Sequence, residues 1–298
     1  MVCSGGSTEG LAYQITAAFW NGELDLLARP GAPSVGWSSL PEVVVCDSLR
    51  RQGTDDVAVR LFITFTAAMD RARIADRLWR DAGRLYAEVG WPFVPTEVAK
   101  RPLPELAEVL QRYGVSQRHS RDSAGWRRIG LSLREPSPSP AVWTALFKGT
   151  GDASVLLRSL LQVGAEGRPN FPFLRGPKVG QMWVRMLASP GVADIQGLES
   201  LRVAVDTHVR KVTEYLGVTK TRGQPLERVR KTIQEAWAED VRRGGAIGPG
   251  ALANTSAALD PALWFFGKWG CTHCEKVGRK VPIAKVCDAC LFDSLFGV

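Results

Sequence analysis

Apolar residues recur at intervals of three and four along most of this chain, which is the spacing of one buried helix face. Val59, Phe62, Ile63, Thr66 and Ala67 follow it, as do Ile74, Leu78, Trp79, Leu85 and Tyr86, and the two runs predict amphipathic helices from about residue 58 onward. Pro92 and Pro95 interrupt the pattern. Leu103 to Leu110 predicts another helix that Gly114 ends, and helical spacing resumes from Arg118 to Leu133 behind a basic start. The PSPSP stretch from Pro136 to Pro140 reads as a connector, and helices through Trp143 to Phe147 and Val155 to Leu161 follow. Few stretches alternate with period two, so the expected fold class is mainly α. No repeat of solenoid length is visible. Residues 1–57 are rich in Gly, Pro and Ser in places, with short apolar runs such as Val43 to Cys46, and form an N-terminal extension to which the pattern assigns no role.

The most apolar run, Leu61 to Met69, is closed by Arg60 and Asp70, well short of the roughly 20 residues that cross a bilayer. The N-terminus lacks a basic stretch followed by a greasy one, so no secretory signal is expected. These features predict a cytosolic protein with no membrane partner. With 298 residues, 45% of them hydrophobic and 23% charged, the chain has the composition of a soluble protein with one large or two modest domains. Charge adds a direction. Lys and Arg outnumber Asp and Glu by 38 to 30, and a net charge of +8 attracts polyanions, of which nucleic acids are the commonest. The 10 tryptophans supply flat faces for core packing or for base stacking.

Three segments carry candidate chemistry. PFLRGPKVGQMWVRML, from Pro172 to Leu187, is a Gly-containing turn that leads into a helix starting around Lys178. Backbone amides at such a helix start make a phosphate-sized anion site, although an ordinary turn with a solvated lysine has the same pattern. VAVDTHVRKVTEYLG, from Val203 to Gly217, places Asp206 before a helix whose apolar face is Val209, Val212, Tyr215 and Leu216. Asp206 suits an N-cap, a role compatible with catalysis, and His208 suits a buried hydrogen-bonding group better than a base. The third segment holds Cys271, Cys274, Cys287 and Cys290, two Cys-x2-Cys knuckles separated by 12 residues, while Cys3 and Cys46 stand alone. In a reducing compartment that spacing points to a metal rather than disulfides. Four thiolates in two knuckles suit tetrahedral zinc, with an iron-sulfur cluster as the alternative, and His273 is not expected to be a ligand. Lys276, Arg279, Lys280 and Lys285 make the intervening loop a basic clip suited to phosphate, or simply a solvated loop.

Taken together, PFLRGPKVGQ, VDTHV and the terminal cysteines resemble the helix-hairpin-helix (HhH-GPD) DNA glycosylases, the superfamily of endonuclease III and the oxoguanine glycosylases. FITFTAAMDRARIADRLW (Phe62 to Trp79) resembles that family's opening helix, and YGVSQRHSRDSAGWRRIGLSL (Tyr113 to Leu133) its later helix pair. The resemblance spans about residues 58 to 292. It implies a two-lobed helical glycosylase domain at 58–265, with its hairpin near 172–180, and a four-cysteine metal-binding unit at 266–298. Gly176 and Lys178 fall where the hairpin glycine and the Schiff-base lysine would sit, and Asp206 falls on the essential aspartate. Arg175, Gly176, Val179 and Gly180 would then grip the DNA backbone, helped by Lys276, Arg279 and Lys280. Met69, Asp70 or Arg71 would fill the gap left by an extruded base. Three departures stand out. The cysteines are one, since the family's iron-sulfur pattern has one wide gap first and the close pair in the middle, whereas this chain has two close pairs around a 12-residue loop. Leu174 and Arg175 replace the usual Gly and apolar residue, and SPGVADIQG lengthens the path from Lys178 to Asp206.

The activity implied is excision of a damaged, mismatched or modified base from duplex DNA by a monomeric, nucleoid-associated enzyme. An amine, whose ordinary pKa is about 10.4, attacks the anomeric carbon once deprotonated, and a carboxylate stabilises the charge that builds on the sugar. A Schiff base formed this way permits strand cleavage by elimination. The competing expectation is a non-catalytic protein that binds modified or distorted DNA. A zinc nucleobase deaminase is disfavoured, because His-x-Glu before Pro-Cys-x-x-Cys is absent. Trp143, Trp183, Trp126 and Trp264 are the aromatic candidates for a base pocket.

Overall fold

A computed structural model describes residues 10–22, 36–71, 73–164, 166–221 and 223–271. The fold is mainly helical, as expected. In chain order the helices are α1 (Leu11–Asn21), α2 (Pro41–Arg51), α3 (Asp56–Ala67), α4 (Ala75–Glu88), α5 (Pro95–Lys100), α6 (Leu103–Arg112) and α7 (His119–Ser132). They continue with α8 (Pro140–Phe147), α9 (Ala153–Leu160), α10 (Val179–Ala188), α11 (Thr207–Tyr215), α12 (Leu226–Gly244) and α13 (Ser256–Phe265). Strands β1 (Thr150–Asp152) and β2 (Asp194–Gln196) pair in parallel, Gly151 opposite Ile195. Among the described residues no helix is long and apolar enough to cross a membrane.

The chain divides into two compact units, one of Pro41–Ser200 and one of Met1–Leu40 with Leu201–Val298. The boundary expected at residue 57 therefore falls inside a unit. The N-terminal extension is shared between the two, because α1 packs on α12 and α13 whereas α2 packs on α3 and α4. At residue 266, the other expected boundary, a π-helical turn, Phe266–Cys271, continues directly from α13. Residues 272–298 lie outside the described residues, and with them Cys274, Cys287, Cys290, His273, Lys276, Arg279, Lys280 and Lys285.

In the Pro41–Ser200 unit, α3 is the axis. Asp55 caps it by accepting the Ala58 N–H at 2.8 Å, and every residue from Val59 to Ala67 is buried. Phe62 and Phe65 anchor an aromatic cluster on it, with Phe65 stacked on Trp126 at 5.0 Å and Phe93 set against both Phe62 and Trp126. Arg60, 5% exposed, donates to the carbonyls of Leu146 at 2.7 Å and Gly191 at 3.3 Å, and burial holds its guanidinium below its ordinary pKa. The run Val43 to Cys46 belongs to helix α2, whose buried Val43, Cys46 and Leu49 lie one helical turn apart. Pro95, expected to interrupt, instead opens α5 near its first position, where a missing N–H costs nothing.

In the other unit, α1, α11, α12 and α13 share a core. Ala12 donates its N–H to Asp240 at 2.5 Å, Ile247 donates to Thr16 at 2.8 Å, and Phe19 meets Phe265 at 6.0 Å between centroids. Trp237 is fully buried and donates to Thr213 at 2.9 Å, which ties α12 to α11.

Candidate functional site

The turn before α10 is held by what it buries. Phe171 and Leu174 are fully buried, and the Asn170 carbonyl accepts from Ser132 at 3.0 Å. Gly125 of α7 lies so close to the Phe173 ring that a Cβ there would overlap it, while the Arg118 guanidinium covers that ring at 5.5 Å. Gly180 closes the turn. A Cβ on it would come within 3.1 Å of the Leu174 carbonyl, tighter than usual, and into ordinary contact with Leu157 and Leu160 of α9 at 3.4 Å, so glycine eases the approach of the Leu174 backbone. Gly176 differs. Its backbone is outside the left-handed region and a Cβ would meet nothing within 4 Å, so neither φ nor packing requires glycine there.

Lys178 is the N-cap of α10 and makes no side-chain capping bond. Its amine instead lies 3.2 Å from the Asp70 carboxylate, with the two side chains 29% and 9% exposed. Five residues further along α10, Trp183 donates to Thr64 at 3.0 Å, six residues before Asp70. Two ties in opposite chain directions make α3 and α10 antiparallel here and carry the end of α3 to the start of α10. A third, the buried Arg185–Glu42 pair at 2.7 Å, joins α10 to α2.

Beside this pair lies a polar knot that sequence reading missed. Asp122 is fully buried and accepts from the N–H groups of Gln117 and Arg118 at 3.0 and 2.9 Å, from the Arg118 guanidinium at 2.8 Å and from Arg73 at 3.3 Å. Burial pushes its carboxyl up, but the bonds from the Arg118 and Gln117 amides and the Arg118 charge outweigh it and leave the pKa below the ordinary value. Arg73 and Asp122 are 49 positions apart, so no local pattern announces them.

The residues expected to touch DNA divide sharply. Met69 is 1% exposed, which removes it as a side chain available to fill a gap in a duplex; it ends the apolar stripe of α3 instead. Asp70 turns its carboxylate to Lys178. Arg71 and Arg175 are exposed, Val179 is half-buried and Gly180 is buried. Of the aromatic candidates, Trp126 and Trp183 are core, their indole N–H groups bound to the Pro92 carbonyl at 2.6 Å and to Thr64. Trp143 and Trp264 are half-buried; Trp143 stacks on Phe147 at 4.9 Å, and Lys268 covers Trp264 at 4.3 Å.

In the second unit, Asp206 caps α11, one oxygen accepting the N–H groups of His208 and Val209 at 2.9 and 3.0 Å. The approach is anchored on both sides, since Ala204 donates to Asp260 at 2.8 Å and the Val203 carbonyl accepts from Gln234 at 3.0 Å. Val209 and Val212 are buried as expected, whereas Tyr215, at the end of the helix, is 38% exposed. His208 meets the Trp264 ring edge-on at 6.4 Å, and its buried Nδ1 has no hydrogen-bond partner. Lys178 and Asp206 thus belong to different units. Among the described residues no group of three or more His, Cys, Asp and Glu side chains is arranged to hold a metal ion.

These features define a mainly helical protein with an ion-paired lysine at one helix start and a capping aspartate at another. Comparison with protein-family models, with curated proteins and with solved structures finds no match to the chain.

Proposed function

We propose that this protein is a DNA glycosylase of the helix-hairpin-helix type, which excises a damaged, mismatched or modified base from duplex DNA through Lys178, assisted by Asp206, with associated lyase activity. The observation that carries the reading is Lys178 itself. A helix N-terminus bears partial positive charge and favours Ser, Thr, Asp or Asn, so a lysine at the cap of α10 contributes nothing to the helix it begins. A cation that its own helix does not call for, 29% exposed beside a Gly-containing turn and within reach of a carboxylate, suits a nucleophile.

In this reading the enzyme extrudes the nucleotide, at a cost of a few kcal/mol that backbone contacts from Arg71, Arg175 and the α10 amides offset. The neutral Lys178 amine forms a bond to C1′ as the glycosidic bond breaks and its electron pair leaves with the base. Asp206 supports the positive charge on the sugar. Cys271, Cys274, Cys287 and Cys290 supply four thiolates, a donor set that suits structural zinc, or alternatively a 4Fe-4S cluster, and no chemical step runs through it. Duplex DNA is the partner.

A panel of duplexes, each with one altered base, tests this by abasic-site formation and borohydride trapping. Wild type is expected to give a trapped adduct on at least one duplex, Lys178→Gln none, and Asp206→Asn bound DNA without turnover. Tight binding with no base release on any duplex would make the protein a reader of DNA rather than an enzyme. Base release without an adduct would assign the attack to water.

A further inference from the structure

We infer that Asp70 is the proton acceptor and positioning partner of Lys178, an assignment that rests on the glycosylase reading above. Asp70 directly follows the buried Met69 at the end of the α3 stripe, and its carboxylate is 9% exposed. A carboxylate this far from water requires a partner, and among the described residues the Lys178 amine lies 3.2 Å from it. The pairing is built by the fold. The Trp183–Thr64 bond and the Arg185–Glu42 ion pair hold α10 in place on both α3 and α2, so the two groups meet without either side chain having to search.

Two consequences follow. A lysine on a flexible four-carbon stem loses rotamer freedom when it is held, and Asp70 incurs that loss before substrate arrives, so the amine is aimed in advance. The second concerns the proton. Lys178 carries one that must leave before its nitrogen lone pair can attack, and Asp70 is within hydrogen-bond reach of it. On an abasic site the sequence balances. The ammonium gives a proton to the Asp70 carboxylate, and the neutral amine adds to the C1′ aldehyde to form a carbinolamine. Its hydroxyl then leaves as water with the proton returned from Asp70, giving the iminium that hydride reduces. One aldehyde and one ammonium become one iminium and one water. Asp206, meanwhile, has a local task at α11, where one of its oxygens accepts two backbone amides.

The test uses the full-length protein on a duplex with a preformed abasic site, which removes the question of which base is excised. The single-turnover rate of cyanoborohydride trapping is measured for wild type, Asp70→Asn, Asp70→Glu and Asp70→Ala, with duplex affinity and helical circular dichroism alongside. Asp70→Asn should trap ~100-fold more slowly or worse, as loss of a general base predicts, while binding the duplex at least as tightly because an acidic group is gone. Asp70→Glu should restore most of the rate, and added formate should speed Asp70→Ala, which a purely structural role would not permit. Wild-type trapping speed in Asp70→Asn overturns the assignment, as does a loss that neither glutamate nor formate reverses. Failure of wild type itself to trap defeats the Lys178 reading first, so the two failures are distinguishable.

Discussion

Lys178 and Asp206 occupy the same position in two helices, the N-cap, one in each unit, and the fold treats them in opposite ways. Asp206 does what a cap should, since its carboxylate satisfies two amides of α11 and its charge suits the helix dipole. Its presence is explained without any chemistry. Lys178 satisfies no amide of α10, has the wrong charge for that end, and is held by a carboxylate 108 positions away. The surroundings differ in the same sense. Asp206 ends a segment fastened by ordinary bonds to Asp260 and Gln234, whereas Lys178 lies at a turn clamped by Phe173, Gly180 and the buried Asp122 knot. A residue that its local structure does not need is the better indicator of function.

Breaking the clamp should have the largest effect on stability. Asp122→Ala leaves the Arg73 guanidinium, 5% exposed, without its buried counter-charge, and such losses typically cost about 3–5 kcal/mol. Denaturant unfolding measures it, and a cost below about 1 kcal/mol would mean the knot is not what holds the start of α7. The pH sign follows from the depressed Asp122 carboxyl. Its contribution is fully present above the unfolded value near 4 and is lost as pH falls through the lower folded value. Wild type should therefore lose stability below about pH 4 more steeply than the milder Asp122→Asn variant.

The two glycines of the turn sharpen the comparison next. Gly180→Ala must shift the Leu174 carbonyl slightly and should cost about 1 kcal/mol, whereas Gly176→Ala, which meets nothing, should be close to neutral or slightly stabilising. If a phosphate approaches the backbone at Gly176, the same alanine should weaken duplex binding while melting stays unchanged. Equal melting shifts for the two variants would contradict the close approach of the Leu174 carbonyl to Gly180. The smallest effects compare the caps directly. Asp206→Ala should cost about 1 kcal/mol and Asp206→Asn much less, because asparagine caps equally well. Lys178→Gln keeps a donor for the 9%-exposed Asp70 carboxylate and removes no cap from α10, so it should cost about 1 kcal/mol. A loss of about 3 kcal/mol or more would make the Lys178–Asp70 pair chiefly structural.

Much of the helical order was legible because it is local. The spacing of Leu103 to Leu110 and of Arg118 to Leu133 anticipated α6 and α7 to within two residues, and Asp206 was recognisable as a cap from the residues beside it. Val43 to Cys46 went unassigned, because a short β-branched run fits strand and helix alike until burial decides. The exposed Tyr215 misled, since periodicity places a residue on a face but does not say how far along the helix that face stays covered.

By itself, then, the sequence determined helix content, the start of α10 near Lys178 and the cap at Asp206, all governed by interactions within a turn or two of the chain. Tertiary structure alone decided that α1 joins α12 and α13, that Met69 is core, and that Asp70 meets Lys178. Those outcomes depend on which surfaces can be buried together and on charges brought into register by packing, and neither leaves a trace at short range along the chain.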